Sequence, residues 1–363
     1  MKSVKILTKQ ATPGMTVADD IYTFNNQLII PNGTILTDKA ITRLKFYSIK
    51  NILISVTEDI PEPMPTEPYD KELHSEKVKN SVAFKDFNNS LLNSTASLKK
   101  ELIQIANGNK EINTDALYKQ INALARKARN GIHLFDMLHC LRDIEDETFI
   151  HSVNVALICN TMAHWLNFGK KDTETATLCG LLHDIGKLAI PKEVIYKTEK
   201  LTEEEFEIVR SHTTKGYNIL QQSNVNIHIK MTSIMHHERC DGSGYPMGIK
   251  GDQIDRFAKL VMIADVYDAM TSARVYRDAL CPFEVLSMFN TEGFKKFDPK
   301  YLMTFVEHVY QTYLNNNVRL NNKAIGKIVM MNQFSSTKPV IAFPDNTYVD
   351  LTKETDLFIE AIL

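Results

Sequence analysis

The chain has 363 residues, and its 42 basic and 44 acidic residues leave a formal net charge of −2. This length favours two or three structural units over one. Near-neutral charge argues against a general surface for polymeric nucleic acid, which is usually basic, but it leaves room for a local basic pocket that holds a small anion.

The cysteines and the apolar runs indicate the compartment. Five cysteines are scattered along the chain without C-x-x-C spacing, as expected for reduced thiols in a reducing environment. The first ten residues lack the apolar core of a signal peptide. No apolar run approaches the roughly 18 residues that span a bilayer. We therefore expect a cytoplasmic protein without a membrane span.

Residues 1–58 alternate short apolar and polar runs, of which Asn51–Val56 is one. Turn formers at Pro13-Gly14 and Pro31-Asn-Gly33 separate these runs, a pattern that predicts short strands. A short helix is expected after Thr37, whose hydroxyl can cap it. The sequence therefore predicts a small α+β amino-terminal domain.

Residues 59–128 are predicted to connect this domain to the next. Residues 59–70 hold four prolines, which favours an extended, stiff linker. From residue 71 the chain is polar, with Leu91, Leu98 and Leu102 at roughly helical spacing. We expect long amphipathic helices. They form either a dimerisation or signalling stalk, or a solvated spacer.

Residues 129–318 are strongly helical in pattern, and the Thr202–Glu205 capping box marks one helix start. Beyond residue 318, apolar runs such as 327–331 and 339–343 predict the strands of a short β-rich carboxy-terminal appendage, residues 319–363. The expected fold class is mainly α.

A His-Asp pair ends an apolar helix in this part of the chain. The helix is predicted to run from Asp172, as a cap, to Leu182, so that His183 and Asp184 follow it. An unpaired carboxylate in such surroundings is costly. Alone, the pair reads as a structural hydrogen bond.

Other ionisable residues in apolar segments change that interpretation. Glu147 and His151 are four residues apart and share one helix face. Adjacent residues His236 and His237 cannot share a face, so this pair can address two different ions. The remaining candidates are His212, which follows the capped helix, and Asp265, inside a segment that is apolar on nearly every side.

These donors form a nitrogen and oxygen ligand set without thiolates. Such a set disfavours a structural zinc site and suits Fe, Mn or similar ions with open coordination positions. Two or three ions held this way would generate a hydroxide near neutral pH and clamp a phosphoryl group.

Two motifs carry a family resemblance. His183-Asp184-Ile-Gly-Lys187 and the segment from His236 to Pro246, HHERCDGSGYP, are similar to the HD-GYP phosphodiesterases. These form a branch of the HD superfamily that hydrolyses the bacterial messenger cyclic di-GMP. The similarity covers about residues 129–318, half of the chain, and implies an HD-type helical-bundle catalytic domain there.

The resemblance also implies roles for individual residues. Asp184 would be the carboxylate that bridges two ions. Family members with Glu at position 147 resemble the trinuclear subgroup, which favours three metals; the alternative is a two-metal site in which Glu147 does not coordinate. The metal ligands implied are Glu147, His151, His183, Asp184, His212, His236, His237 and Asp265.

A second group is assigned to the substrate. Lys187 would place its charge on a phosphate oxygen or near the leaving group. Arg274 and Arg277 match basic family positions that contact the dinucleotide, although Val275 stands where the family usually has Pro. Tyr245 contacts ligand or a partner, or only shapes its loop, and Asp268 orients a ligand or an Arg.

The expected activity is hydrolysis of cyclic di-GMP through a metal-bridging hydroxide, giving pGpG and, after a second cut, GMP. The alternatives are a catalytically weak cyclic-dinucleotide receptor, or a phosphodiesterase for another cyclic dinucleotide such as cyclic GMP-AMP. Expected partners are a second copy of the chain, bound through the stalk, and cyclic-dinucleotide synthase domains.

Overall fold

The computed structural model describes most of the chain in two compact units, Met1–Asp70 and Lys71–Leu363. The residues described are 2–8, 11, 14–22, 28–37, 40–41, 44, 51–56, 74–141, 147–197, 199, 201–272, 280–332, 337–354 and 356–363.

The first unit is built on short antiparallel strands. Its strands are β1 (Lys2–Leu7), β2 (Thr16–Val17), β3 (Ile21–Tyr22), β4 (Leu28–Ile30) and β5 (Asn51–Val56). Strand β5 lies between β1 and β2, and β3 pairs with β4. Val17, Leu36 and Ile52 are buried in the apolar core of this unit. The short strands expected in residues 1–58 are confirmed, and the run Asn51–Val56 forms β5. The Ala40 amide donates to the Thr37 hydroxyl at 3.2 Å, as the capped start of a helix requires.

The second unit is mainly helical, as predicted. Its α-helices are α1 (His74–Asn80), α2 (Val82–Ala106), α3 (Thr114–Ala125), α4 (Gly131–His139), α5 (Glu147–Trp165), α6 (Lys170–Leu182), α7 (Lys192–Ile195), α8 (Glu203–Arg210), α9 (His212–Gln221), α10 (Ile227–Met235), α11 (Arg256–Thr271), α12 (Pro282–Met288), α13 (Phe294–Lys296) and α14 (Pro299–Thr312). A 3-10 turn (Ile185–Ala189) follows α6, and a π-helical segment (Phe289–Gly293) follows α12.

Helices α5, α6 and α11 form the centre of this unit. Each is buried on nearly all sides, which is the pattern of a core helix rather than of a surface helix. Gly180 of α6 allows α5 to approach closely, since a Cβ at this position would lie 2.9 Å from the Cα of Ala156. Residues 183 and 184 at the end of α6 are therefore delivered into the interior of the unit.

The start of α6 differs from the prediction. The helix begins at Lys170, after Gly169, because the Thr173 amide already donates to the Gly169 carbonyl at 2.9 Å. Asp172 lies in the first turn and is not the cap. Its carboxylate accepts from Nη2 of Arg256 at 2.7 Å. The predicted capping box is confirmed, with Thr202 and Glu205 bonding reciprocally.

Helices α1 to α3 do not form a separate stalk or a solvated spacer. Phe87, Leu91 and Leu98 are buried in the same apolar core as α5 and α6. Helix α2 packs against α5 and against the 3-10 turn, and α3 packs against α5 and α6. The helical spacing in the sequence marks the apolar stripe correctly, but it does not identify what the stripe covers. The expected boundary at residue 128 therefore has no counterpart in the packing.

A five-stranded antiparallel sheet completes the unit, with the order β10-β6-β7-β8-β9. The strands are β6 (Asn317–Leu320), β7 (Ile325–Met330), β8 (Val340–Ala342), β9 (Tyr348–Asp350) and β10 (Ile359–Ile362). This confirms a β-rich carboxy-terminal part, whose Val318, Ile328 and Ile341 join the helical core. Among the helices of the described residues, none has both the length and the apolar character that a bilayer crossing needs.

Neighbouring leucines on α2 test whether this helix packs into the core of the second unit. Leu91 is fully buried, whereas Leu92 is 40% exposed. Leu91→Ala leaves a cavity and should lower the free energy of unfolding by about 2–5 kcal/mol. Leu92→Ala, the matched control, should change it by no more than about 0.5 kcal/mol. Urea unfolding measures both, and equal small effects would contradict the packing described here.

Candidate metal centre

Seven ionisable side chains converge where α5, α6, α9, α10 and α11 meet. One cluster contains Asp184, His212, His236 and His237, and the other contains His151, His183 and Asp265. Within each cluster the donor atoms lie within 4.8 Å of one another. The structure thus brings together every metal-ligand candidate from the sequence except Glu147. Glu147 is the first residue of α5, but its side chain is outside the described part of the structure.

Asp184 joins the two clusters because its two carboxylate oxygens face different histidine pairs. Oδ2 lies 3.2 Å from Nε2 of His183 and 3.7 Å from Nε2 of His151. Oδ1 lies 3.3 Å from Nε2 of His212 and 3.5 Å from Nε2 of His236. This is the geometry that a bridging carboxylate requires. The donor atoms of His236 and His237 fall in one cluster, and the expectation that this pair can address two different ions stays a prediction.

Three of the histidines are oriented by the same kind of contact between the ring and a backbone carbonyl. His183, His212 and His236 each follow the last turn of a helix, and the ring nitrogen Nδ1 faces the carbonyl three residues earlier. The distances are 2.7 Å to Gly180, 2.7 Å to Val209 and 3.0 Å to Ser233. Since Nδ1 must donate to a carbonyl, Nε2 is left as an acceptor that points into the centre. Nε2 of His212 and Nε2 of His236 are 3.2 Å apart, and two acceptors cannot satisfy each other.

His151 is oriented by a carboxylate instead. Its Nδ1 donates to Oδ2 of Asp268 at 2.7 Å, and Oδ1 of Asp268 accepts from the Asn154 amide at 3.0 Å. Its Nε2 lies 3.0 Å from Asp265, without the alignment of a hydrogen bond. Asp268 therefore positions His151. Both oxygens of its carboxylate are used in these two contacts and are not directed toward a substrate.

Neighbouring charges and burial shift the pKa values of Asp184 and His151 in opposite directions. Burial alone would raise the pKa of Asp184, but Lys187 and the neighbouring histidines hold that pKa well below its ordinary value. Burial lowers the pKa of His236 to about 4, so its ring is neutral at pH 7. For His151, the carboxylates of Asp265 and Asp268 outweigh burial and raise the pKa to about 9.

These residues fit divalent metal ions. Nine buried side-chain atoms of the described residues have no hydrogen-bond partner there, and three of them lie in the metal centre: His151 Nε2, His183 Nε2 and Asp184 Oδ1. Buried polar atoms are rarely left unsatisfied, and each such atom needs an explanation. All three belong to the two clusters. Converging imidazole nitrogens and carboxylate oxygens are an arrangement that a cation completes once His151 gives up its second proton, and imidazole with carboxylate suits Fe, Mn or Zn.

The substrate candidates from the sequence are only partly described. Lys187 is part-buried and donates to Oδ2 of Asp184 at 2.5 Å. The Tyr245 ring stacks on His237, with centroids 4.7 Å apart, and the guanidinium of Arg210 lies 4.5 Å from the Tyr245 centroid. Arg274 and Arg277 lie outside the described residues.

Sequence reasoning missed two buried residues, Asn154 and Glu238. Asn154 fixes Asp268, as described above. The carboxylate of Glu238 accepts from the amides of Met247 and Ile249 at 2.7 and 3.2 Å. These bonds hold the loop of residues 242–249 against the histidine pair. Gly244 lies directly on this backbone, since a Cβ there would be 2.3 Å from the Cα of Glu238. Glu238 directly follows the two histidines in the sequence, and this position could have marked it as part of the site.

Comparisons with known proteins agree with this geometry. A model of the HD domain matches residues 119–301. The cyclic di-GMP phosphodiesterase PA4108 of Pseudomonas aeruginosa is 35% identical over 190 residues, which cover 52% of this chain and 46% of that protein. The 3'3'-cGAMP-specific phosphodiesterase 1 of Vibrio cholerae is 39% identical over 145 residues, covering 40% and 34%. The chain thus spans less than half the length of these two curated relatives.

A solved structure is also similar to the chain. Bd1817, an HDG"Y"P protein from Bdellovibrio bacteriovorus, is 16% identical, with a TM-score of 0.43 over 85% of this chain and 99% of that one.

The Asp268–His151 contact can be tested through metal affinity. Asp268→Asn keeps the size of the side chain but removes the charge that fixes the His151 ring. Metal affinity should fall about 10- to 100-fold, as measured by competition with a chromogenic chelator.

Asp255→Asn is the matched control for this test. Asp255 lies 2.6 Å from Nδ1 of His228, outside the two clusters, and Asn can replace it as a helix cap. Metal affinity should not change in this variant. A weaker site in Asp255→Asn, or an unchanged one in Asp268→Asn, would show that the contact does not position a ligand.

Proposed function

Because the chain belongs to the HD domain family, we propose that it is a metal-dependent phosphodiesterase that hydrolyses cyclic di-GMP to pGpG and, after a second cut, to GMP. The observation that carries this proposal is the position of Asp184, with one oxygen toward each histidine pair. A carboxylate placed in this way serves two ions, and paired ions suit the hydrolysis of phosphate esters.

The ions would be held by the two clusters, with Asp184 common to both. Fe or Mn is favoured because the donors are imidazoles and carboxylates without a thiolate. When bound, the ions would make water a nucleophile near neutral pH and offset the charge of the phosphoryl group. A third ion at Glu147 stays a prediction from the sequence.

The residues of the chain supply orientation and charge. The helix-end carbonyls accept from Nδ1 of three histidines and turn Nε2 of each ring inward. Lys187 holds a positive charge against Asp184, from where its part-exposed ammonium can reach a phosphate oxygen. Burial raises the pKa of the Tyr245 hydroxyl, so this group stays protonated and can donate to the substrate.

The bases of the substrate are a separate question. Curated relatives are named for cyclic di-GMP and for 3'3'-cGAMP, so hydrolysis of cyclic GMP-AMP is the second candidate. The basic residues assigned to substrate contact, Arg274 and Arg277, are outside the described residues. A homodimer through residues 71–128 and contact with synthase domains also stay predictions.

Two variants separate metal binding from substrate activation. Asp184→Ala should lose both bound metal and turnover because it removes the shared ligand. Lys187→Gln should retain metal and lower kcat about 100-fold, as is typical when one charge-stabilising donor is removed. Metal analysis of anaerobically purified protein and an assay of cyclic di-GMP hydrolysis measure both effects. Near wild-type activity in Asp184→Ala would reject the mechanism.

A comparison of cyclic dinucleotides tests the substrate. We expect kcat/KM for cyclic di-GMP to exceed that for 3'3'-cGAMP by about 10-fold, since a site that hydrogen-bonds two guanines loses contacts when one base is adenine. Cyclic di-AMP should be slower again. A higher kcat/KM for 3'3'-cGAMP would favour the second candidate. Tight binding of all three without hydrolysis in the metal-loaded protein would favour a receptor.

A further inference from the structure

Arg239 is a half-buried cation directly after the histidine pair, and it has no role in the site described above. Its Nη1 donates to the carbonyl of Glu238 at 2.8 Å. The central carbon of its guanidinium lies 5.4 Å from the centroid of the Phe297 ring. One face of the guanidinium thus packs on an aromatic ring. Of its five N–H donors, only one, on Nη1, has a hydrogen-bond partner among the described residues.

Arg239 lacks an acidic partner in the described part of the chain. Its side chain makes no ion pair within 4.0 Å there, whereas Arg210, Arg256 and Arg319 are paired with Glu207, Asp172 and Glu360. Burial lowers the pKa of Arg239, although the charge of Asp265 opposes this shift. A half-buried cation without an ion pair is costly to the fold, so the guanidinium is suited to an anion that binds later.

The backbone holds Arg239 beside the metal centre. A Cβ on Gly244 would lie 2.4 Å from the amide nitrogen of Arg239, and the Tyr245 amide donates to the His237 carbonyl at 3.2 Å. The loop and the Arg239 backbone are therefore in direct contact.

We propose that Arg239 binds a phosphate group of the dinucleotide substrate, an inference that rests on the proposed function. A cyclic dinucleotide carries two phosphodiester anions. When one lies at the metal cluster, the other needs a cation of its own. A guanidinium is suited to this contact because its planar fork can offer two parallel N–H bonds to one phosphate, while its face stays on Phe297.

The test compares variants at position 239 in the metal-loaded protein. Arg239→Met keeps the apolar packing on Phe297 and removes the charge, and Arg239→Lys keeps the charge without the fork. For Arg239→Met, the KM for cyclic di-GMP should rise about 10- to 100-fold, the effect of losing one charged hydrogen bond, with kcat within about threefold. Arg239→Lys should fall between Arg239→Met and wild type.

Product binding gives a readout that does not depend on turnover. By calorimetry in a Lys187→Gln background, where the second cut is slow, adding Arg239→Met should weaken pGpG binding about 10- to 100-fold, while the affinity for guanosine, which has no phosphate, is unchanged. Metal content should also stay at the wild-type level. The melting temperature should stay the same or rise, because an unpaired half-buried charge has been removed; a structural arginine would show the opposite change.

Arg256→Met is the matched control. The Arg256 guanidinium also lies over an aromatic ring, 4.5 Å from the Phe257 centroid, but it is paired with Asp172. This variant should leave KM and pGpG binding unchanged. The inference is overturned if adding Arg239→Met leaves pGpG binding unchanged, or if Arg239→Met melts lower and loses metal. The proposed function fails separately, if the metal-loaded wild type does not hydrolyse any cyclic dinucleotide.

Discussion

The central constraint on this protein is the buried carboxylate of Asp184, whose two oxygens face two pairs of histidines. Its placement needs α6 to end inside the unit, and this in turn needs the close contact of α5 with α6 at Gly180. The turn that follows is equally tight, since a Cβ on Gly186 would lie 1.9 Å from the carbonyl oxygen of His212. The two glycines therefore fix the distance between the carboxylate and its histidines.

Backbone carbonyls at helix ends orient the histidines around this carboxylate. The last carbonyls of a helix have no partner within the helix, and His183, His212 and His236 each use one of them as an acceptor. This contact satisfies the carbonyl and selects the ring tautomer with its lone pair on Nε2. Burial then keeps His236 neutral, although a helix carboxyl end normally favours a protonated histidine. Backbone geometry thus prepares the ligands before any ion is bound.

The sequence predicted the chemistry of the site better than its surroundings. Acids and histidines in apolar segments are costly enough to stand out, so Asp184, Asp265 and the histidines could be named from the sequence. The packing of α2 could not, because its periodicity describes one face of a helix and not the surface that this face meets. Asp268 was expected to orient a ligand or an Arg, and only the fold shows that the ligand it contacts is His151. Arg239 was missed because a cation in a motif gives no sign of whether it has a partner.

Two kinds of unsatisfied group lie near each other in this unit. The clusters contain buried atoms without a hydrogen-bond partner among the described residues, at His151, His183 and Asp184, and Arg239 offers donors without an acidic acceptor there. Arg239 does not pair with these atoms, since it is held by Phe297 and Glu238. Cations satisfy the first group and an anion satisfies the second. A phosphate ester bound to divalent ions, the substrate class proposed above, would supply both, so the residues that lack partners in the fold are the ones to which the proposal assigns metal and phosphate.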